Sequence, residues 1–338
     1  RIGSKVVIVY FLMTVIACIV GIVMVNITHP GVGFTLDNMQ AFDTSKVKTP
    51  SFVNFLFDMV PVNIVDSMAK NQIMQMIFFT VLVGVALVSL GEKVAGVTKI
   101  FDQCASIIYK MLDIVMLYSP IGVLALMANT TAVFGPKLFG VLAKFVFTDW
   151  VGCLLIWFFF SGIVWLYTKV NYLEMCKSMI PIWVNTIATN SSAGTIPITL
   201  NVTTERLKVP MSIASFSIPL GATINLTGAA LYKTILAFFV AEIYGLQLTI
   251  DQILMVIIIS TIMSIAAPGI PGGGIVTGAI FLNLLGLPMD LMGPIAGMYR
   301  LIDMSHTTVN VSGDVLGTML VAKNENIWTG EDFNKTLV

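Results

Sequence analysis

The segment DMSHTTVNVSGD, residues 303–314, sets Asp303, His306, Thr307, Asn310 and Asp314 at steps of +3, +4, +7 and +11. On a helix those steps fall on one face. The rest of the chain is apolar: 57% of its 338 residues are hydrophobic and 11% are charged, against about 25% charged in a soluble domain. A deficit of that size points to lipid as the solvent. An ionised aspartate at the bilayer centre costs about 2.5–3.5 kcal/mol on insertion scales. Asp303 and Asp314 are eleven residues apart, about 16 Å along a helix at 1.5 Å per residue. Both cannot reach water at one edge of a ~30 Å core, so at least one lines a wet cavity. The stripe reads as a binding face inside a polytopic all-α membrane protein.

Working outward, Val6–Ile27 is an uncharged run long enough for one transmembrane helix, and residues 28–51 read as an aqueous loop. Apolar segments follow near 52–66, 71–91, 105–128, 138–168 and 178–189, then 209–241, interrupted only by Lys233, and a final helix near 291–322. Trp150 and Tyr167 stand near the ends of the run 149–169, as interfacial aromatics do. The apolar run after Lys5 is too long for a cleavable signal peptide, and the start at Arg1 fits a missing N-terminal portion. Net charge is zero, which gives no sign of a nucleic-acid partner. Cys18, Cys104, Cys153 and Cys176 have no metal-ligand spacing and read as small hydrophobes.

Two stretches resist a plain helix. TNSSAGTIPIT (189–199) and AAPGIPGGGIV (266–276) are rich in small residues and proline within hydrophobic surroundings. The arms around the second are half a membrane span each, which suggests a re-entrant hairpin, tolerated only where it is buried in protein or lines a cavity. TINLTGAAL (223–231) and TVNVSGDVL (308–316) share the pattern T-x-N-x-[TS]-G-x-x-L, and each follows one of the breaker stretches. A repeated unit of broken hairpin plus Asn-bearing helix points to a transporter with inverted repeats and a mid-membrane site. Asn225 and Asn310 offer carbonyl oxygens to a cation or polar ligand, or serve as interhelical glue. His306 reads as a proton carrier or as a hydrogen-bonded wall residue. Arg300, three residues before Asp303, reads as its partner.

With these residues in hand, the chain resembles the glutamate transporter family, the dicarboxylate/amino acid:cation symporters. RIGSKVVIVYFLMT resembles the family's third helix, FDMVPVNIVDSMAKNQIMQMIFF its fourth and YSPIGVLALMA its fifth. NSSAGTIPIT is similar to the first hairpin tip, PLGATINLTGAALY to the seventh helix, PGIPGGG to the second tip and DMSHTTVNVSGDVLGTMLVAK to the eighth helix. The resemblance implies that the first two family helices are absent. It implies scaffold helices and a connecting loop over 1–66, the rest of a scaffold helix over 67–91, a transport-domain or scaffold helix over 92–128 and a transport-domain helix over 129–168. The first re-entrant hairpin would span 169–208, the seventh helix 209–250, the second hairpin 251–290, and the eighth helix with its tail 291–338. It further implies a homotrimer in the cell membrane, working as an elevator, with membrane lipid and a small-molecule substrate as partners.

By position, the resemblance implies that Asp303 holds a substrate amino group and Asn310 the α-carboxylate. Ser191, Ser192, Thr195, Ala229, Ile270, Gly274, Arg300, His306 and Thr307 complete the expected substrate set. One sodium site would use the backbone of Gly221, Asn225 and Asn310 with the Asp314 carboxylate; a second would use Thr223 with backbone carbonyls around Ser264, Ile265 and Ala267. Sodium is the expected coupling ion and a proton the alternative; no cofactor is expected. Acidic-amino-acid carriers have arginine where this chain has His306, and the helping threonine is here Ala229. An imidazole does not replace a bidentate guanidinium without loss. The expected substrate is therefore a small, neutral amino acid, with an acidic amino acid or C4-dicarboxylate as the alternative. A third sodium site lacks its carboxylate: Thr227, Met13 and Tyr299 depart from the family, although Tyr10 and Thr14 remain. An enzyme is not expected, since a hydrolase on Ser192 and His306 lacks a G-x-S-x-G elbow. A dedicated channel lacks a charge ring or filter repeat.

Overall fold

The computed structural model describes residues 2–34, 56–70, 72–265, 269 and 271–335. Among these every regular element is helical. In chain order they are α1 (Ile2–Thr28), α2 (Ile64–Ala69), α3 (Ile73–Leu90), α4 (Ala95–Met116), α5 (Ser119–Phe134), α6 (Lys137–Thr168) and α7 (Tyr172–Thr189). There follow α8 (Ser192–Asn201), α9 (Met211–Ile224), α10 (Thr227–Ile243), α11 (Ile250–Ile265), α12 (Gly273–Leu284), α13 (Met292–Asn324) and α14 (Gly330–Asn334). Four stretches are long and apolar enough to cross a membrane: Ile2–Thr28, Met74–Ile108, Lys137–Thr168 and Met211–Ile243.

The chain divides into two compact units, Thr49–Asn129 and the pair Arg1–Lys48 with Thr130–Val338. Within the larger unit α1 lies along α6, α10 and α11. Within the smaller unit, Asn63 starts α2 by accepting from Val65 N at 2.9 Å and Asp66 N at 3.3 Å, an N-cap. Most of its described side chains are exposed, Val85 and Val88 among them, while Ser67 and Met74 are buried. The apolar segment expected over 105–128 is two helices, parted at Leu117–Tyr118. Most of the expected 28–51 loop and the start of the 52–66 segment lie outside the described residues.

In the larger unit α10 is the axis. Every residue from Thr227 to Ala237 is buried, as expected of a helix apolar all round. Lipid tails are as apolar as leucine, so helices associate by close packing and polar bonds. Gly21 on α1 supplies one such approach, since a Cβ there would lie 3.0 Å from Thr234 Cβ. α6 is longer than the expected 149–169 run, which puts Trp150 inside the helix and away from its end; its indole donates to Leu301 O at 3.0 Å. α13, 33 residues long, packs on α6, α7, α9 and α10.

The breaker stretches interrupt helices where expected. α7 ends at Asn190 in the left-handed region (φ 53°), and Ser191 then caps α8 by accepting from Gly194 N at 3.0 Å. α11 and α12 form the second helical pair, with Gly272 (φ 77°) entering α12. The two tips touch, since Ala193 N and Ser191 Oγ each donate to Gly269 O at 3.4 Å. A third break, between α9 and α10 at Asn225–Leu226, lies inside what reads as one continuous apolar segment.

Candidate functional site

The tips, the α9–α10 break and the middle of α13 enclose one cavity. Of the expected substrate residues, Ser192, Ala229, Gly274, Asp303, His306, Thr307 and Asn310 line it, together with Asn190, Leu226, Gly269 and Tyr299. Its volume is about 30 Å³. Gly274 is dictated by Tyr299, whose hydroxyl occupies the space that a Cβ would need.

Asp303, 8% exposed, accepts from Gly272 N at 3.1 Å through Oδ2, and Tyr299 OH lies 3.5 Å from its Oδ1. No basic side chain pairs with it among the described residues, leaving a carboxylate in the cavity wall ready for an ammonium group. Asn310 accepts from Gly228 N at 2.7 Å and Thr227 Oγ1 at 3.4 Å with its Oδ1. That leaves the amide NH₂ as its donor toward a ligand.

Three expected substrate residues stand elsewhere. Arg300 is exposed and donates to Ala188 O at 3.3 Å, neither pairing with Asp303 nor lining the cavity; its backbone carbonyl accepts from Asn190 Nδ2 at 3.0 Å. The i,i+3 spacing would allow Arg300 to reach Asp303, but its side chain turns outward to the end of α7 instead. Thr195 is buried behind the tip, bonded to Asn185 Oδ1 at 2.9 Å and Ser191 O at 2.7 Å. Ser191 is the cap described above. Ile270 lies outside the described residues.

His306 has a partner that the sequence reading missed. Its Nε2 lies 2.8 Å from Asp149 Oδ1 on α6, and both side chains are buried. Ser305 Oγ donates to Asp149 Oδ2 at 3.0 Å. His306 Nδ1 is buried without a partner. Cys153 joins Asp149 and His306 within 4.8 Å, but the direct histidine–carboxylate bond leaves no place for a metal between those two groups. Asp149 sits in the middle of α6, and the signal in the sequence is its setting: it is the one acidic residue of that long apolar helix.

The first expected cation set comes together. Asp314, 1% exposed, accepts from Asn225 Nδ2 at 2.9 Å and has no basic partner among the described residues. Asn225 Oδ1 is buried and unpartnered. Gly221 is pressed against Asp314 so closely that a Cβ would collide with the carboxylate. Tyr10 OH, 3.1 Å from Asp314 O and from Ser217 O, closes the far side, and Thr14 Oγ1 donates to Tyr10 O at 2.9 Å. An unpaired buried carboxylate beside an orphaned amide oxygen is a donor set suited to a hard monovalent cation. Of the second set the structure describes three residues. Thr223 and Ile265 are exposed, Thr223 Oγ1 donates to Leu220 O at 2.7 Å, Ser264 Oγ meets Lys233, and Ala267 lies outside the described residues.

The model of the sodium:dicarboxylate symporter family matches residues 1–324. A proton/glutamate-aspartate symporter of Bacillus subtilis (strain 168) is 30% identical over 336 residues, 98% of this chain and 81% of the relative. A proton/sodium-glutamate symport protein of Bacillus caldotenax is 29% identical, covering 98% of this chain and 79% of its own length. A C4-dicarboxylate transport protein of B. subtilis is 30% identical, covering 96% and 79%.

Proposed function

This chain belongs to the sodium:dicarboxylate symporter family, multi-pass transporters of the membrane and not enzymes, and from that premise we propose that it carries an acidic amino acid in symport with cations. One observation carries the choice: the cavity has an unpaired carboxylate, Asp303, on one wall and an imidazole backed by a buried carboxylate, His306 on Asp149, on another. Asp303 receives the substrate ammonium and Asn310 donates to its α-carboxylate. A proton on His306 Nδ1 makes that nitrogen a donor to the side-chain carboxylate, with Asp149 balancing the charge. The names of the relatives, with glutamate, aspartate, C4-dicarboxylate, proton and sodium among them, favour this reading over a neutral substrate. Asp314 with Asn225 takes the metal cation, sodium in this reading.

The neutral amino acid remains the second reading. It is favoured by the absence of a guanidinium from the cavity and by Ala229 at its wall. In either case the hairpins enter the membrane without crossing it, and the exposed apolar residues of the smaller unit face lipid or a partner subunit. Three such chains form an elevator-type homotrimer. The deciding experiment is uptake into proteoliposomes against a panel of competitors. Aspartate or glutamate should displace label far better than serine or alanine; the reverse order overturns the acidic reading. Replacing sodium by choline, and separately collapsing the pH gradient, divides the coupling between the two cations.

A further inference from the structure

Lys233 on α10 is fully buried, one of the most enclosed side chains in the protein. Its Nζ donates to Ala229 O and to Ser264 Oγ, both at 3.3 Å. Neither partner is charged, and no carboxylate pairs with Lys233 among the described residues. A buried ammonium without a counter-ion is costly, and in membrane interiors such groups mark ion and substrate paths. The location gives it meaning. Ala229 is one turn before Lys233 and forms part of the cavity wall. The expected second cation set uses backbone carbonyls around Ser264, beside the hydroxyl that Lys233 holds, and one turn earlier on α11 the Ser260 hydroxyl is buried with no partner. Carbonyl and hydroxyl oxygens of this kind are what a hard cation seeks, and here an ammonium already holds them. A second metal ion at these oxygens would compete with Nζ for the same lone pairs and be repelled by its charge.

We propose that the Lys233 ammonium is a cation attached to the protein that stands in for a second coupling metal ion, so that metal enters only at Asp314. The inference rests on the reading of Asp314 as a cation ligand, and the test separates the two. The purified full chain in lipid nanodiscs is titrated with the best-bound amino acid of the panel at a series of sodium concentrations. The slope of log affinity against log sodium counts the ions taken up with substrate. A slope of about one for the unaltered chain and for Lys233→Arg, rising to about two in Lys233→Gln, is the expected result. A slope of about two in the unaltered chain overturns the proposal whether or not any variant folds. So does an unchanged slope in a Lys233→Gln chain that still binds substrate. If the unaltered chain shows no slope at all, the Asp314 reading fails. The Lys233 proposal then stands or falls on whether Lys233→Gln gains a slope of about one.

Discussion

TINLTGAAL at 223–231 and TVNVSGDVL at 308–316 share one pattern, yet the first is split between two helices while the second runs unbroken through α13. They face each other. Asn225 Nδ2 reaches Asn310 O at 3.4 Å, and Asn310 Oδ1 accepts from Gly228 N at 2.7 Å. The paired glycines make this approach feasible. A Cβ on Gly228 would lie 2.6 Å from His306 Cα, and one on Gly313 would lie 2.8 Å from Asn225 Nδ2. What differs is the next position, Ala229 in one copy and Asp314 in the other. Two similar sequences build one joint, and only one of them brings a charge to it.

Removing that charge should have the largest effect. Asp314→Asn leaves the shape of the joint and takes away the anion that a cation would meet. Losing one partner of a buried charge pair costs about 3–5 kcal/mol, so sodium-driven uptake should fall at least roughly a hundredfold. Uptake within a few-fold of the unaltered chain would mean that the charged copy is not the cation ligand.

The second test concerns the other carboxylate that the joint faces. Asp149→Asn keeps a hydrogen bond to His306 but removes the charge behind it. Truncating a buried charged contact costs about 2–5 kcal/mol, so aspartate affinity should fall by roughly thirtyfold or more, with serine affinity changing much less. Equal losses for both substrates, measured by competition, would assign Asp149 to packing alone.

Much of this was legible in the chain, for physical reasons that can be named. The stripe from Asp303 to Asp314 is visible because helical spacing is local, and the breaker stretches are visible because glycine, proline and serine act on their own backbone. The α9–α10 break was not. Leu226, the residue before α10, makes no side-chain cap; the cap on Gly228 N comes from Asn310, 82 residues away. Partners of that kind depend on the tertiary fold. Asp149 was missed for the same reason, since nothing near it in the sequence shows that it meets His306. Arg300 failed in the opposite sense: its i,i+3 spacing from Asp303 permits a pair, but the guanidinium turns to Ala188 O instead.

The glycines sharpen the comparison further and with smaller effects. Gly228→Ala would drive a methyl group into the backbone of α13, which cannot give, whereas Gly313→Ala meets the end of a side chain. Overpacking costs about 1–3 kcal/mol, and Gly228→Ala should take the upper part of that range as a lower Tm in detergent. Gly313→Ala should change Tm less but weaken sodium binding, because the Asn225 amide must leave Asp314 to make room. If the two variants lose equal stability with sodium binding unchanged, the asymmetry between the copies is one of charge only.

The smallest effect should come from Arg300→Ala. The guanidinium is exposed, holds a single 3.3 Å bond to Ala188 O and is absent from the cavity wall. Exposed charged contacts are worth up to about 1 kcal/mol, so uptake of aspartate should change by less than about fivefold. The wall contact between α7 and α13 at this point survives the change, since it also runs through Asn190 Nδ2 and the backbone carbonyl of residue 300. A selective loss of acidic over neutral substrates in Arg300→Ala would mean that the guanidinium swings into the cavity. Specificity would then belong to Arg300, about two turns before the joint, and His306 would be left as a structural partner of Asp149.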